Sequence, residues 1–213
     1  VEIASWRARA PSIRDVRVDG ELLSSDNRAV QLDFGAIAEG MASEEVARVL
    51  ADHGIHHALL SLGGDVFALG QADSRDWRVG IRDPYGGVLA GVELRGPEAL
   101  FASGSYNKFR TAPSGARWPH ILDPRTGEPT RGTATVAVVH RDPVLADVAA
   151  TVLMIGGPAR FVELSDRLQV RCALLLTEEN ELLITAAMAS RVQMQRDPVR
   201  LGAPTGAPGP CSP

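Results

Sequence analysis

Lysine is almost missing from this 213-residue chain: Lys108 is the only one, and the rest of the positive charge is arginine. The 22 basic residues against 26 acidic ones leave a formal charge of −4, which removes the general electrostatic reason for binding nucleic acid. A guanidinium can still clamp phosphate with parallel N–H bonds, so single arginines stay candidates for anion contacts. Cysteine is nearly as scarce. Cys172 lies in an apolar run and Cys211 in a loose C-terminal stretch, a spacing that predicts neither a disulfide framework nor a zinc knuckle. The two read as a buried small hydrophobe and an incidental tail thiol. No apolar run approaches the ~18 residues of a membrane-crossing helix. No basic and apolar leader with a cleavage site is visible, and a mature form that had lost one would read the same, so cytoplasmic and envelope-facing locations both stay open. No internal repeat stands out, and no Gly-x-Gly-x-x-Gly turn opens a βαβ unit, which argues against a dinucleotide-binding Rossmann domain.

What remains is a chain with 45% hydrophobic residues, enough for one full core or two small lobes sharing a seam. Residues 1–28 carry little periodic signal beyond an extended piece at 14–18, with another at 29–32. Ile37, Met41, Val46, Val49 and Leu50 predict a helix over 37–53 with Gly54 as its left-handed stop. Strands are predicted at 58–62 and 66–70 around a Gly63-Gly64-Asp65 bend, then at 77–82, 88–94 and 100–103, with a hairpin or loop at 111–118. A β-branched strand at 133–139 is followed by Asp142-Pro143, an N-cap with proline at the first helical position, opening a helix to about 155. A second helix at 158–168 and strands at 171–176 and 181–185 complete the ordered part, and glycine and proline after Arg200 predict a disordered tail. The expected architecture is α+β, a two-lobed layered fold of mixed and antiparallel sheets with packed helices, as one domain over 1–200 with the tail at 201–213.

Several islands carry chemistry. Asp147 and Thr151, four apart on a predicted helix, share a face and offer two hard oxygen ligands of the kind magnesium takes while it also holds diphosphate. Gly35 and Gly40 bracket a helix start whose free N–H groups suit phosphate or a polar ligand edge, with Asp33 before it placed to accept from a nucleobase or ribose. Glu39 divides evenly between solvated helix surface and ligand contact. Gly63 and Gly64 permit a close backbone approach, and Asp65 at a strand end is a base, a metal partner or a turn cap. Ser103-Gly104-Ser105 is a weaker turn-like candidate. Residues 120–127, His-Ile-Leu-Asp-Pro-Arg-Thr-Gly, set an imidazole, a carboxylate and a guanidinium in one tight loop suited to hold phosphate. There Asp123 shapes the turn, and Arg125 either pairs with Asp123 or faces phosphate.

In this order the islands closely resemble the ApbE family, the FAD:protein FMN transferases. The resemblance spans about 33–184 and rests on the turn Asp33 to Gly40, Leu-Gly-Gly-Asp at 62–65, Ser-Gly-Ser-Tyr at 103–106, the loop at 120–127 and Ala-Asp-Val-Ala-Ala-Thr at 146–151. It implies a T-fold-related α+β body around a flavin cleft and a magnesium-dependent transfer of FMN from FAD to a threonine or serine hydroxyl of an acceptor protein, releasing AMP. It also implies that Asp147 and Thr151, with the Ala36 backbone, hold the metal, while Asp33, Glu39 and Ile121 lie against FAD. Gly63, Gly64, Ser103, Gly104 and Arg125 complete the expected flavin contacts, and either His120 or Asp65 is the base. Two departures stand out: Ser105 replaces an aspartate common in the family, and only 32 residues precede Asp33 where members carry about 100 or more. An N-terminally shortened domain is therefore expected, with a homo-oligomer or a complementary chain as a possible second wall. The competing functions are FAD hydrolysis to FMN and AMP, and non-catalytic flavin or partner binding.

Overall fold

Residues 133–140, Thr-Ala-Thr-Val-Ala-Val-Val-His, are small or β-branched up to the last, and every one of them is buried. Such a segment belongs in the middle of a sheet covered on both faces, and it is the fourth of seven strands. The computed structural model describes residues 2–106, 108–111, 115, 117–198 and 200–212.

The chain opens with helix α1 (Glu2–Ala8), a 3-10 turn (Ile13–Asp15) and a small hairpin of β1 (Arg17–Asp19) and β2 (Leu22–Ser24). Helix α2 (Ala38–Asp52) leads to β3 (Ala58–Leu62), β4 (Asp65–Leu69), β5 (Trp77–Arg82), β6 (Val88–Leu94) and β7 (Glu98–Gly104). Two short hairpins follow: β8 (Phe109–Thr111) with β9 (Arg117–Pro119), and β10 (Leu122–Asp123) with β11 (Glu128–Pro129). Strand β12 (Thr133–His140), helix α3 (Pro143–Gly156), a 3-10 turn (Pro158–Arg160), α4 (Phe161–Arg167), β13 (Cys172–Thr177) and β14 (Glu181–Ile184) complete the core. Helix α5 (Ala186–Ala189), β15 (Val192–Met194) and β16 (Arg200–Leu201) end the chain.

The large sheet runs β16-β14-β13-β12-β7-β4-β3, antiparallel except for the β14–β16 pair, and a three-stranded sheet runs β15-β6-β5. Strand alternation sorts the side chains into two cores. Phe101, Val136, Val138, Ala173 and Leu175 face α3 and α4 with Leu153, Met154 and Phe161. Leu100, Ala137, Val139, Leu174 and Leu176 face the small sheet with Leu89, Val92, Leu94 and Met188. The molecule is thus a layered α+β fold, and each fully buried aliphatic side chain contributes about 1.5–3 kcal/mol. Helix α3 starts as the sequence dictates: Asp142 accepts from the Leu145 amide at 2.9 Å, Pro143 fills the first position, and Gly157 ends it at φ +68°. Among the described residues no single helix is long and apolar enough to cross a membrane.

Three expectations need correction. The extended entry segment instead begins with α1, whose Trp6 Nε1 donates to the Ala29 carbonyl at 3.1 Å; Ala29 is buried beside a turn and is not in a strand. The C-terminal stretch, expected as a loose tail, is placed against the body of the fold. Its β16 pairs with β14, the Thr205 amide donates to Ile184 O and the Ala186 amide to Thr205 O, backbone contacts that glycine-rich composition does not forbid. That path returns Cys211 to Cys172, so the two cysteines form a buried disulfide across 39 residues where a free pair was expected.

Candidate functional site

Helices α2 and α3 start side by side, and Gly40 is the reason. A Cβ there would lie 2.7 Å from Pro143 O and Val144 Cα, both backbone, so only glycine lets the two N-termini close together. At that junction α2 has no side-chain cap of its own. Asp147, 107 residues away and in the second turn of α3, supplies one: its Oδ2 accepts from the Gly40 amide at 3.0 Å, and the Glu39 amide also favours its charged form. The carboxylate meets the positive end of the α2 dipole.

The same junction draws in two more acids. The Glu39 carboxylate sits where a Cβ of Gly63 would be, and Gly63 itself holds φ +62°, so a side chain there is excluded twice over. Glu39 also hydrogen-bonds Asp65, whose Oδ1 accepts from the Ala102 amide at 2.6 Å. Burial pushes the Asp65 carboxyl up to about 8; the bond to Glu39 and the charges of Glu39 and Asp147 add to this, against the Ala102 amide. Asp147 is raised as well, by burial and then by the Glu39 charge, against the two amides of α2. Glu39, Asp65 and Asp147 are thus three mutually repelling carboxyl groups with no arginine or lysine bonded to them among the described residues.

Thr151, one turn beyond Asp147, shares a 3.0 Å hydrogen bond with Ser103 Oγ at the end of β7. The Ala36 carbonyl, one turn before Gly40, accepts no hydrogen bond among the described residues, because the Gly40 amide that would close that turn is taken by Asp147. No group of three His, Cys, Asp or Glu side chains among the described residues takes a metal-holding arrangement. The donors at the junction are nevertheless all hard oxygens: the Asp147 carboxylate, the Thr151 hydroxyl and the unpaired Ala36 carbonyl. Such oxygens are of the kind that a hard cation such as magnesium takes.

The remaining candidates sit around this centre or apart from it. Asp33 turns its Oδ1 to the Gly35 amide at 2.7 Å, shaping the loop into α2 while its residue stays exposed. Gly64 has φ +114°, and Gly104 lies under the Tyr106 ring. Tyr106 was not singled out by sequence reasoning; burial raises its phenol, with the charges of Arg82, Asp83 and Asp65 acting on it in smaller measure. Its signal was its place at the end of the Ser-Gly-Ser-Tyr motif. Ile121 packs on the helix-side core and receives Thr130 at its carbonyl. His120 makes no hydrogen bond to the carboxylates among the described residues; its Nδ1 lies 3.0 Å from Lys108 O. A carbonyl only accepts, so Nδ1 carries the proton and Nε2 presents a lone pair. Arg125 grips Asp123 through Nε at 2.9 Å and Nη2 at 2.7 Å, so of the two expected roles the loop holds the ion pair. The loop is backed by α1, with Gly127 against Ile3 and Trp6, and its hairpin neighbour β8–β9 has residues 112–114 and 116 outside the described set.

Residues 1–175 match the family model described as the ApbE family, a longer stretch at the N-terminal end than the motifs alone indicated. The chain is 39% identical over 192 residues to a FAD:protein FMN transferase of Rhodobacter capsulatus, covering 90% of this chain and 36% of that protein. It is 30% identical over 177 residues to the FAD:protein FMN transferase of Treponema pallidum, covering 78% and 49%. Among solved structures it resembles the ApbE protein of Thermotoga maritima, with TM-score 0.80, 25% identity, and coverage of 92% of this chain and 63% of that one. The apo flavinyl transferase ApbE of Pseudomonas stutzeri gives 0.69, 31%, 84% and 55%. The chain therefore spans half or less of these curated relatives' length. On the strength of this match over most of its length, the chain belongs to the ApbE family.

Proposed function

We propose that this chain takes part in magnesium-supported transfer of FMN from FAD to a serine or threonine hydroxyl of an acceptor protein. The observation that carries the reading is the trio of uncompensated carboxyl groups at the α2–α3 junction, with Asp147 bound across it to Gly40. An isolated cluster of like charges is costly unless something cationic completes it. Asp147, Thr151 and the Ala36 carbonyl would hold magnesium, which would neutralise diphosphate charge when bound. Asp33, Glu39, Gly63, Gly64, Ser103, Gly104 and Ile121 form the surface against FAD on this reading, and Arg125 fixes the neighbouring loop through Asp123.

In the reaction the acceptor hydroxyl oxygen bonds to the phosphorus of the FMN half, and the bond from that phosphorus to the bridging oxygen breaks. AMP leaves with the bridging oxygen. The hydroxyl proton passes to a base, for which His120 is suited by the free Nε2 lone pair that its Lys108 contact leaves. Asp65 holds the cluster through Glu39 and Ala102. The Cys172–Cys211 disulfide supports an envelope-facing, oxidising location for the domain.

The test is mass spectrometry of a threonine-containing acceptor incubated with the protein, FAD and magnesium. An FMN-sized mass gain is expected. Free FMN without acceptor labelling would assign hydrolysis instead, and FAD binding without either product would leave a flavin-binding protein.

A further inference from the structure

Thr151 directs its hydroxyl away from its own helix. A threonine inside a helix commonly returns that group to the carbonyl three or four residues back. Thr151 Oγ1 makes no such bond among the described residues and lies instead 3.0 Å from Ser103 Oγ, across the seam between α3 and the sheet. Strand alternation sets this reach. Ala99 and Phe101 of β7 face the helix-side core, and Ser103, two residues on, continues their row.

Ser103 is itself held in place. Strand β7 pairs with β12 from Ala99 opposite His140 to Gly104 opposite Thr135, and the Ser103 carbonyl accepts from Thr135 Oγ1 at 3.2 Å. The neighbouring Ala102 amide donates to Asp65 Oδ1 at 2.6 Å, so one strand end reaches both the carboxylate cluster and Thr151. Ser103 Oγ has no other hydrogen-bond partner among the described residues.

A neutral hydroxyl that coordinates a cation gives it a lone pair and must send its proton elsewhere, because a proton aimed at the ion would be repelled. Either oxygen of the Ser103–Thr151 pair can be the donor, so the bond accepts the polarity that a cation imposes. We propose that Ser103 is a positioning residue of the cation site, its Oγ accepting the Thr151 hydroxyl proton and so aiming the Thr151 oxygen at magnesium, a role that rests on the magnesium reading of Asp147, Thr151 and the Ala36 carbonyl.

The experiment measures the magnesium concentration that half-completes the rise in melting temperature, on the whole chain without FAD, for the parent, Ser103→Ala, Ser103→Thr, Ser103→Val and Asp147→Ala. Threonine and valine have nearly the same shape and both suit a strand, so at position 103 they differ in the hydroxyl. Ser103→Thr is expected to stay within about twofold of the parent midpoint, while Ser103→Ala and Ser103→Val need about tenfold more magnesium, the low end for losing an outer partner of a metal ligand. Equal midpoints for the threonine and valine variants, or a Ser103→Ala protein that melts lower without magnesium at an unmoved midpoint, would overturn the role. If Asp147→Ala has lost its response in that same series, the magnesium reading survives. An Asp147→Ala protein that responds like the parent would overturn both.

Discussion

Two charge clusters in this molecule are built on opposite terms. In the one that pins β7 to the end of the chain, Glu98 and Arg191 are 7% and 10% exposed and every group is answered. Arg191 Nη1 donates to Glu98 Oε1 at 3.1 Å and to Cys211 Sγ, Nη2 donates to Glu98 Oε2 at 2.8 Å and to Glu93 O, and the Arg95 amide completes Glu98. In the other, Glu39, Asp65 and Asp147 repel one another, and among the described residues Asp65 and Asp147 are answered by backbone amides. The first is a structural joint whose charges cancel. The second leaves like charges uncompensated by any side chain among the described residues, the condition that the proposed magnesium would relieve.

That contrast can be broken from the balanced side first. Glu98→Gln strips the carboxylate and leaves Arg191 buried and unpaired, so a loss of about 3–5 kcal/mol is expected in urea unfolding. A change below a tenth of that would mean the joint is wet and unimportant. Next in size is Cys211→Ser, which removes the tether on the same side. Its expected cost is about 2–4 kcal/mol, read as a lower urea midpoint that reductant no longer shifts.

On the unbalanced side the geometry matters before the charge. Gly40→Val would drive a side chain into the Pro143 and Val144 backbone, where nothing flexible can yield. A loss of about 1–3 kcal/mol is expected, together with faster amide exchange at position 40 as its bond to Asp147 opens. An unaltered exchange rate would show that the helices are not held by this contact.

A further effect is in pH. Asp65 keeps its proton in the folded protein from 3.8 to about 8, a range where the unfolded chain has lost it. Its contribution is complete below the lower value and is lost as pH rises through the upper one. Asp83 behaves oppositely. Burial pushes it up, but the bond from Arg196, the Tyr85 amide and the Arg196 charge outweigh burial and hold it low, so its contribution is present at neutral pH and lost as acid protonates it. Asp65→Asn is expected to flatten the fall in stability between pH 3.8 and about 8, and Asp83→Asn the loss on the acid side. A single shared slope in both variants would contradict the assignment.

How far the sequence reaches follows the same divide. Local patterns were legible in part: the Asp142-Pro143 cap set α3 and the β-branched run set β12, while α2 formed where Met41, Val46, Val49 and Leu50 suggested a helix although Met41, Val46 and Val49 are exposed and it buries Gly40 and Ser43 instead. The strand ends at Leu62 and Leu94 and the left-handed Gly54 also fell where turn chemistry places them. Pairings distant in sequence were not legible. Nothing beside Cys211 announces Cys172, because the strand that joins them is two residues long and rests on backbone bonds. Helix α1 is seven residues and takes its place from Trp6 and Ile3 packing on Ala29 and Gly127, which no local period encodes. At the site the residue types were readable, yet the role of Asp147 as the cap of α2 depends on a contact made across 107 residues. The Arg125 choice was open in the sequence because both outcomes use the same loop, and the bidentate grip on Asp123 decides the resting geometry.

The claim that the carboxylate junction is a magnesium site is tested most directly by titrating magnesium against the melting temperature of the parent, Thr151→Ala and Asp147→Ala. The parent is expected to gain stability with dose, Thr151→Ala to need more magnesium for the same gain, and Asp147→Ala to show none, since it loses a full charge as well as a ligand. An Asp147→Ala protein that responds at the same magnesium concentration as the parent would contradict the account.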